Sequence, residues 1–332
     1  MHEVVSEADK QAFLQLAIDI YRDDPMWIRP LDKDIAEVFD TEKNKFFKRG
    51  ECKRWLLKDD SNKIIGRIAA FVNRQYKEEQ PTGGIGFFEC INDQKAANFM
   101  FDYCREWLKE KGMEAMDGPI NFGERHQWWG LMIDGFAPPT FQMNYNPPYY
   151  IQLFENYGFK EYFNQFVYNY PVNEKVPEKF YEKARRIEKN PDYTFRHFEK
   201  KKTEQYAEDI MNIYNEAWVK HQHHKGITKQ MALNMVKQMK PVMDEKIIWF
   251  AYYQQAPIAM FINIPDLNQW FRHLKGKFNL WHKLYFLWIK LTRPNKKFTG
   301  LVFGIIPEFQ GKGIDAYIIG ESAKVLQSNK MP

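Results

Sequence analysis

The spacing of apolar and polar side chains divides the chain into two stretches that contain similar elements in the same order. Residues 7–20 and 94–111 carry apolar positions three or four apart, the period of a helix with one buried face. Short runs rich in β-branched and aromatic residues, bounded by turn residues, are typical of strands. The first stretch is predicted to contain, in order, a strand at 3–5, a helix at 7–20, strands at 54–58, 64–73 and 84–90, a helix at 94–111, a strand at 114–120, a helix that opens at Asn146-Pro147-Pro148 with Asn146 as its cap, and a last strand through Tyr170.

The second stretch begins after a predicted linker at 171–177. Its predicted elements are a strand at 193–198, helices at 203–219 and 229–240, strands at 247–253, 257–264 and 298–306, and a helix that starts at Ile314. The repeated order predicts a sandwich-like α+β fold of two tandem domains, residues 1–171 and 178–332. Because the second stretch lacks the strand, helix and strand that end the first, we expect its domain to be truncated at the C-terminus.

Composition fits two packed domains. The 332 residues are 44% hydrophobic and 17% aromatic, which excludes a largely disordered chain. The net charge of +5 suits an anionic ligand or a membrane surface. It does not indicate nucleic acid, which usually requires a concentrated basic face.

The cysteines and the N-terminus indicate the compartment. Cys52, Cys90 and Cys104 have no metal-ligand spacing, and an odd, sparse count favours a reducing environment. The N-terminus is too polar for a signal peptide, and no run approaches the roughly 18 apolar residues of a membrane span. The sequence therefore predicts a cytoplasmic protein, with membrane contact from that side as a further prediction.

The run from Val302 to Ala316 carries the candidate chemistry. A strand leads into a Pro-containing turn, Gly311 and Gly313 flank Lys312, and a helix starts at Ile314. Glycine lets backbone amides approach an anion closely, and a helix N-terminus adds unpaired N–H groups. This pattern predicts a phosphate-binding loop. An ordinary strand–turn–helix connection is the alternative.

The same run resembles motif A of the GNAT acetyltransferase superfamily, Gln/Arg-x-x-Gly-x-Gly/Ala after the fourth strand. Gln310 and Gly313 match that pattern, whereas Asp315 stands where the family usually has a small residue. The resemblance implies an acyl-CoA N-acyltransferase that uses acetyl-CoA or a longer acyl-CoA as co-substrate and no metal. The CoA-binding residues that it implies are Val302, Phe303, Ile305, Gln310, Gly311, Lys312, Gly313 and Ile314.

The likeness extends over most of the chain. The helix that ends at Tyr157-Gly158-Phe159 looks like motif B of the superfamily. Residues 87–94 of the first half contain no glycine and two acids, so we expect that half to keep the fold and lose the cofactor. Both halves together resemble tandem-GNAT proteins of the YghO type, grouped with bacterial ceramide synthases. The strings that carry this resemblance are Met26-Trp27-Ile28-Arg29-Pro30-Leu31, Gly86-Phe87-Phe88-Glu89, Asn121-Phe122-Gly123-Glu124, Tyr145-Asn146-Pro147-Pro148-Tyr149-Tyr150 and Pro265-Asp266-Leu267-Asn268.

An insertion at 266–297 in the second half is basic and aromatic. No acidic residue lies between Asp266 and Glu308, and Lys283 and Lys290 share a helix face. Trp and Tyr beside Lys are typical of an interfacial helix on anionic lipid. Two alternatives are packing on its own domain, with lysines directed to CoA phosphates, and single-stranded nucleic-acid binding, which no RNP-like or OB pattern accompanies.

The acid–base candidates are Glu124, His126 and His221. N-acylation needs a group to take the amine proton and a donor for the thioester oxyanion. A buried Glu124 would suit a general base, and surface pairing with Arg125 is the alternative. His221 lies with His223 and His224 in a spacing unsuited to structural zinc, and a solvated helix end is the alternative.

The predicted function is acyl transfer from an acyl-CoA to an amine. The resemblance favours a long-chain, sphingoid-type amine met at a membrane surface. A catalytically inactive GNAT-like binding or scaffold protein and a small-amine acetyltransferase remain as alternatives. The sequence predicts neither the acyl chain length nor the oligomeric state.

Overall fold

A computed structural model describes residues 1–75, 80–171, 174, 177–219, 226–293 and 295–328. The chain forms two compact units, Met1–Gln165 with Trp270–Ile289, and Phe166–Gln269 with Lys290–Pro332. The two groups of residues part after Gln165, and the predicted division into domains 1–171 and 178–332 stays a prediction. Residues 270–289, predicted to belong to the second domain, are grouped with the first unit.

The first unit contains a five-stranded sheet in the order β1-β2-β3-β4-β5. Strands β1 to β4 pair antiparallel, and β5 runs parallel to β4. The predicted turn between β2 and β3 is confirmed, because the Asp59 carboxylate accepts bonds from the Ser61 and Lys63 amides and Asn62 has a φ of +64°. The strands are β1 (His2–Glu3), β2 (Gly50–Lys58), β3 (Ile64–Asn73), β4 (Thr82–Cys90) and β5 (Ala115–Asp117).

The helices of this unit begin at caps that the sequence encodes. Ser6 and Asp9 form a capping box before α1, and the Asp93 carboxylate accepts two amide bonds at the start of α3. The chain turns at Gly112, whose φ of +79° suits a residue without Cβ. The helices are α1 (Glu7–Ile20), α2 (Asp32–Val38), α3 (Gln94–Glu110) and α4 (Tyr150–Tyr157), with a 3₁₀ turn at Lys45–Arg49.

The second unit contains a four-stranded antiparallel sheet in the order β6-β7-β8-β9. Its strands are β6 (Tyr193–His197), β7 (Ile248–Tyr253), β8 (Ala256–Pro265) and β9 (Phe298–Ile305). The helices of the chain after α4 are, in order, α5 (Glu178–Glu188), α6 (Thr203–Tyr214) with a π-helical segment at Asn215–Val219, α7 (Lys229–Met239), α8 (Asn268–Phe271), α9 (Leu280–Thr292) and α10 (Ile314–Ser328). Of these, α9 belongs to the first unit as far as Ile289. Short 3₁₀ turns lie at Lys200–Lys202, Glu245–Ile247 and Pro307–Phe309.

Each unit contains a strand, two helices, three antiparallel strands and a further helix in that order, and α8 and α9 lie between β8 and β9 in the chain. Helices α2, α5 and α8 were not predicted, and the tandem-domain arrangement stays a prediction. Three details were wrong. The predicted strand before Tyr170 is absent from the described residues 159–171. The predicted strand at 114–120 is confirmed only at Ala115–Asp117. Asn146 does not cap α4, because its amide bonds the backbone N–H and C=O of Met132 instead. Descent of both units from one GNAT domain stays a prediction.

A close backbone approach fixes the end of the first sheet. The Ile120 N–H donates to the Ile85 C=O at 2.8 Å, so the chain after β5 stays bonded to β4. A Cβ built on Gly86 would lie 1.5 Å from the Ile120 oxygen. Only glycine therefore fits at this position of β4.

We expect Gly86→Ala to lower the free energy of unfolding by about 3 kcal/mol or more, because backbone must move to admit the methyl group. Gly112→Ala is the matched control, since a Cβ there meets no atom within 4 Å and only the φ of +79° is unfavourable, at about 1 kcal/mol. Urea denaturation followed by circular dichroism measures both. Equal losses for the two variants would show that the approach of Ile120 does not constrain the sheet.

Candidate functional site

Two glycines shape the turn between β9 and α10. Gly311 has a φ of +72° and Gly313 a φ of +96°, both in the left-handed region that glycine adopts without steric cost. The Gln310 side-chain amide donates to the Ile305 C=O at 3.1 Å and so ties the turn back to the end of the strand. The residue that matched the family pattern thus holds the loop through its side chain.

The two glycines have different surroundings. A Cβ on Gly311 would meet no atom within 4 Å, so this part of the turn faces open space. A Cβ on Gly313 would lie 3.3 Å from the Lys183 C=O of α5, so Gly313 serves packing as well as backbone conformation. Gly311 is therefore the position at which a ligand has room.

The start of α10 directs unpaired donors into the same turn. Its first intrahelical bond runs from the Tyr317 N–H to the Gly313 C=O at 3.0 Å. The preceding amides, of Ile314 to Ala316, belong to the first helical turn, whose N–H groups have no intrahelical acceptor. With the positive end of the helix dipole they form a site that favours an anion.

Strand β9 provides an edge next to this turn. It is the last strand of its sheet and pairs with β8 on one side. Ile262 pairs with Val302 and Asn263 with Gly300, which leaves Leu301 as the extra residue of a bulge. Leu301 and Phe303 are 44% and 39% exposed. The strand thus offers backbone groups and apolar side chains to a ligand that lies along it.

The π-helical segment at Asn215–Val219 lies beside the same strand through Trp218. The Asn215 side chain donates to the Ile227 C=O at 3.0 Å and accepts from the Ile227 N–H at 2.9 Å. Trp218, in the π-helical segment, packs on β9, because a Cβ on Gly304 would lie 2.2 Å from its ring. Sequence reasoning missed both contacts. A π-helical segment often marks a functional site, but no short motif predicts one.

The charged groups around the turn are few. Lys312 is exposed, and its ammonium lies 4.7 Å from the centre of the Phe309 ring. Asp315 occupies the first turn of α10 and is half-buried. Tyr317 stacks on Phe195 with ring centres 3.8 Å apart, and burial raises the pKa of its hydroxyl.

The acid–base candidates of the first half lie at its surface. Glu124 pairs with Lys45 at 2.6 Å and its side chain is 46% exposed, so the expectation of a buried Glu124 is wrong. The surface pairing expected with Arg125 is made by Lys45 instead, and the Arg125 guanidinium lies 5.3 Å from the centre of the Trp129 ring. His126 is exposed. His221, like His223 and His224, lies outside the described residues.

Tyrosines fill the corresponding position of the first unit, at the end of β4. The Glu89 carboxylate is buried, accepts from the Tyr150 hydroxyl at 2.7 Å and pairs with Arg67 at 3.2 Å. The Tyr150 oxygen accepts from the Cys90 N–H at 2.9 Å, and the Tyr149 hydroxyl donates to the Cys90 C=O at 2.7 Å. Burial raises the pKa of Glu89, while Arg67 opposes that shift. Tyrosine side chains thus bond the last backbone groups of β4.

Within the described ranges, no group of three or more His, Cys, Asp or Glu side chains is placed to hold a metal ion. In the part of the chain that the structure describes, no helix has the length and apolar character needed to cross a membrane.

Comparison with known proteins identifies two curated relatives. No protein-family model matches the chain. The chain is 25% identical over 294 residues to the bacterial ceramide synthase of Caulobacter vibrioides, covering 87% of this chain and 74% of that protein. It is 25% identical over 286 residues to Protein YghO of Escherichia coli, covering 82% of this chain and 70% of that protein.

A solved structure shares the fold. It contains the GCN5-related glucosamine N-acetyltransferase region of a fungal multi-domain GH3 beta-N-acetylglucosaminidase, with a TM-score of 0.51 and 13% identity. The match covers 99% of this chain and 34% of the other, so this chain spans about a third of that protein. The likeness shows a GNAT-like fold. With the names of the two relatives, it supports a GNAT-like acyltransferase.

We expect Glu124→Gln to change the free energy of unfolding by less than about 1 kcal/mol, because an exposed ion pair contributes little. A double-mutant cycle with Lys45→Met measures the coupling between the two side chains. We also expect acyl-CoA cleavage to stay within about twofold of the wild type. Loss of a general base would instead lower the rate about 10²–10⁴-fold, and that result would restore Glu124 as a catalytic candidate.

Proposed function

We propose that the protein is an acyl-CoA-dependent N-acyltransferase whose CoA site lies in the second unit. One observation carries this proposal: the edge of β9 leads directly into the Gly311–Gly313 turn at the start of α10. A strand edge suits the amide-containing pantetheine arm, and the turn suits a pyrophosphate. No comparable glycine turn follows β4 in the first unit, where Tyr149 and Tyr150 bond the last backbone groups of the strand.

The residues present fit an anionic group at the turn. The amides of Gly311 to Ile314 would bind the pyrophosphate, and a Cβ built on Gly311 meets no atom within 4 Å, so the turn is open at that position. Lys312 would contribute charge at the rim. Val302, Phe303 and Ile305 would contact the pantetheine arm along β9. Gln310 would contribute indirectly, because its side-chain bond to the Ile305 C=O holds the turn in place.

The chain's own contribution to the chemistry is chiefly geometric. A bound acyl-CoA would supply an activated thioester carbonyl. An amide N–H of β9 between Phe303 and Ile305 is the proposed donor to the carbonyl oxygen. Trp218 lies next to that part of the strand, so we propose that it borders the acceptor amine.

The acceptor that we propose is a long-chain amine of the sphingoid type, acylated from a long-chain acyl-CoA. The name of the Caulobacter relative supports this choice, and the exposed Leu301 and Phe303 beside the site suit an apolar chain. The one specific observation that favours a rival is Asp315. A carboxylate in the first turn of α10 opposes an anion there, as expected of a GNAT-like binding protein without turnover.

Substitution of Gly311 tests the CoA site. Asn and Asp both tolerate a positive φ and have nearly the same shape, so Gly311→Asp and Gly311→Asn differ mainly in charge. We expect the Asp variant to bind CoA roughly tenfold more weakly than the Asn variant, because a carboxylate would face the pyrophosphate. Isothermal titration calorimetry with CoA measures this, and thermal melts verify that both variants fold. Equal affinities would reject the site, and a wild type that binds no CoA would reject the proposal.

Thiol release tests turnover. We expect the wild type, given a long-chain acyl-CoA and a sphingoid-type amine in detergent, to release CoA thiol above the rate without amine, and mass spectrometry to detect the amide. Octylamine and glucosamine serve as a shorter lipophilic and a water-soluble comparison. Turnover with glucosamine alone would favour a small-amine acyltransferase. CoA binding without release for any amine would favour the binding protein.

A further inference from the structure

Most of the apolar side chains of helix α9 are exposed. Phe286 is half-buried and Ile289 fully buried, whereas Trp281 is 76% exposed and Leu291 86% exposed. The exposed apolar positions recur three or four residues apart, so they form one stripe along the helix. The residues of this stripe are Leu280, Trp281, Leu284, Leu287, Trp288 and Leu291.

The opposite side of the helix is anchored within the first unit. Phe286 packs on Phe271 and Phe278 with ring centres 5.4 and 6.1 Å apart. The Gly276 C=O accepts the Asp32 N–H at 2.8 Å, and a Cβ on Gly276 would lie 2.3 Å from the Arg29 side chain. These contacts hold the segment before α9 in place. The exposure of the stripe therefore follows from the packing of the opposite face of the helix.

The charged residues of the segment that contains the stripe are all basic. Between Asp266 and Glu308 the sequence contains no acidic residue. Six exposed basic side chains lie in this segment: Arg272, Lys275, Lys277, Lys283, Arg293 and Lys296. An exposed apolar stripe that includes two tryptophans, in a segment whose charged residues are lysine and arginine, matches a bilayer surface of anionic lipid, where the acyl chains would contact the apolar side chains and the headgroups the basic ones.

The length of α9 also suits a helix that lies on a membrane surface. Helix α9 has 13 residues, which corresponds to about 20 Å, less than the roughly 30 Å of a hydrocarbon core. A helix of this length and composition lies in the interface, parallel to the membrane plane.

We propose that α9 docks the protein on anionic lipid, with Trp281, Leu284 and Leu291 inserted among the acyl chains and the lysines and arginines of the segment at the headgroups. The proposal does not rest on acyltransferase activity. It adds a reason why a lipophilic amine would reach this protein at a membrane.

Vesicle flotation tests the docking. The full chain is mixed with vesicles of phosphatidylcholine alone, or with 30% phosphatidylglycerol, at about 50 and 500 mM salt. We expect the wild type to float with the anionic vesicles at low salt, and much less with neutral vesicles or at high salt, because exposed charges are screened. Trp281→Ser/Leu284→Ser/Leu291→Ser should lower the floated fraction about tenfold. Lys277→Glu/Lys283→Glu should lower the floated fraction at low salt only.

The matched control removes equally exposed apolar residues elsewhere. Phe166→Ser/Val167→Ser/Tyr168→Ser changes side chains that are 72%, 69% and 89% exposed, and we expect it to float like the wild type. A wild type that stays in the soluble fraction, or equal losses for both triple variants, would overturn the proposal. So would a concentration-dependent dimer that the α9 variant abolishes without any flotation. Calorimetry with CoA on the α9 variant separates this outcome from failure of the CoA site.

Discussion

The N–H and C=O groups along the outer edge of β4 and of β9 must find partners, because an unpaired buried backbone group costs about as much as a lost hydrogen bond. In the first unit the chain itself supplies them, through β5, Ile120 and the hydroxyls of Tyr149 and Tyr150. In the second unit β9 pairs with β8 and continues into a turn in which Gly311 and Gly313 have a positive φ. That turn has no counterpart among the described residues that follow β4, which is why we propose ligand binding in the second unit.

The absence of a Cβ on glycine has opposite consequences in the two units. Gly86 lets Ile120 come near enough to close the edge of β4, whereas Gly311 leaves space in front of a row of amide donors. The residue type is the same and the neighbours decide its role. A glycine in sequence therefore indicates that backbone or ligand comes close, but not which of the two.

Local patterns predicted most of the elements. Helix α1 begins and ends where its apolar period and capping box place it, and the turns at Asn62 and Gly158 follow from their residue types. The loop at 311–313 was recognisable because its chemistry is contiguous in sequence. The errors concern distant partners. Asparagine is a common helix cap, but the Asn146 amide bonds the backbone of Met132 instead. Glu124 takes Lys45, 79 residues away, in place of its neighbour Arg125. The assignment of 270–289 to the first unit likewise depends on tertiary packing.

The side chain of Asn215 has a consequence for the sequence changes that this chain can tolerate. Since one amide bonds both the N–H and the C=O of Ile227, the two ends of the intervening segment are held together independently of what lies between them. The entropy of closing such a segment grows slowly, by about 0.6 kcal/mol for each doubling of its length. Insertions or replacements between these two residues should therefore cost little stability.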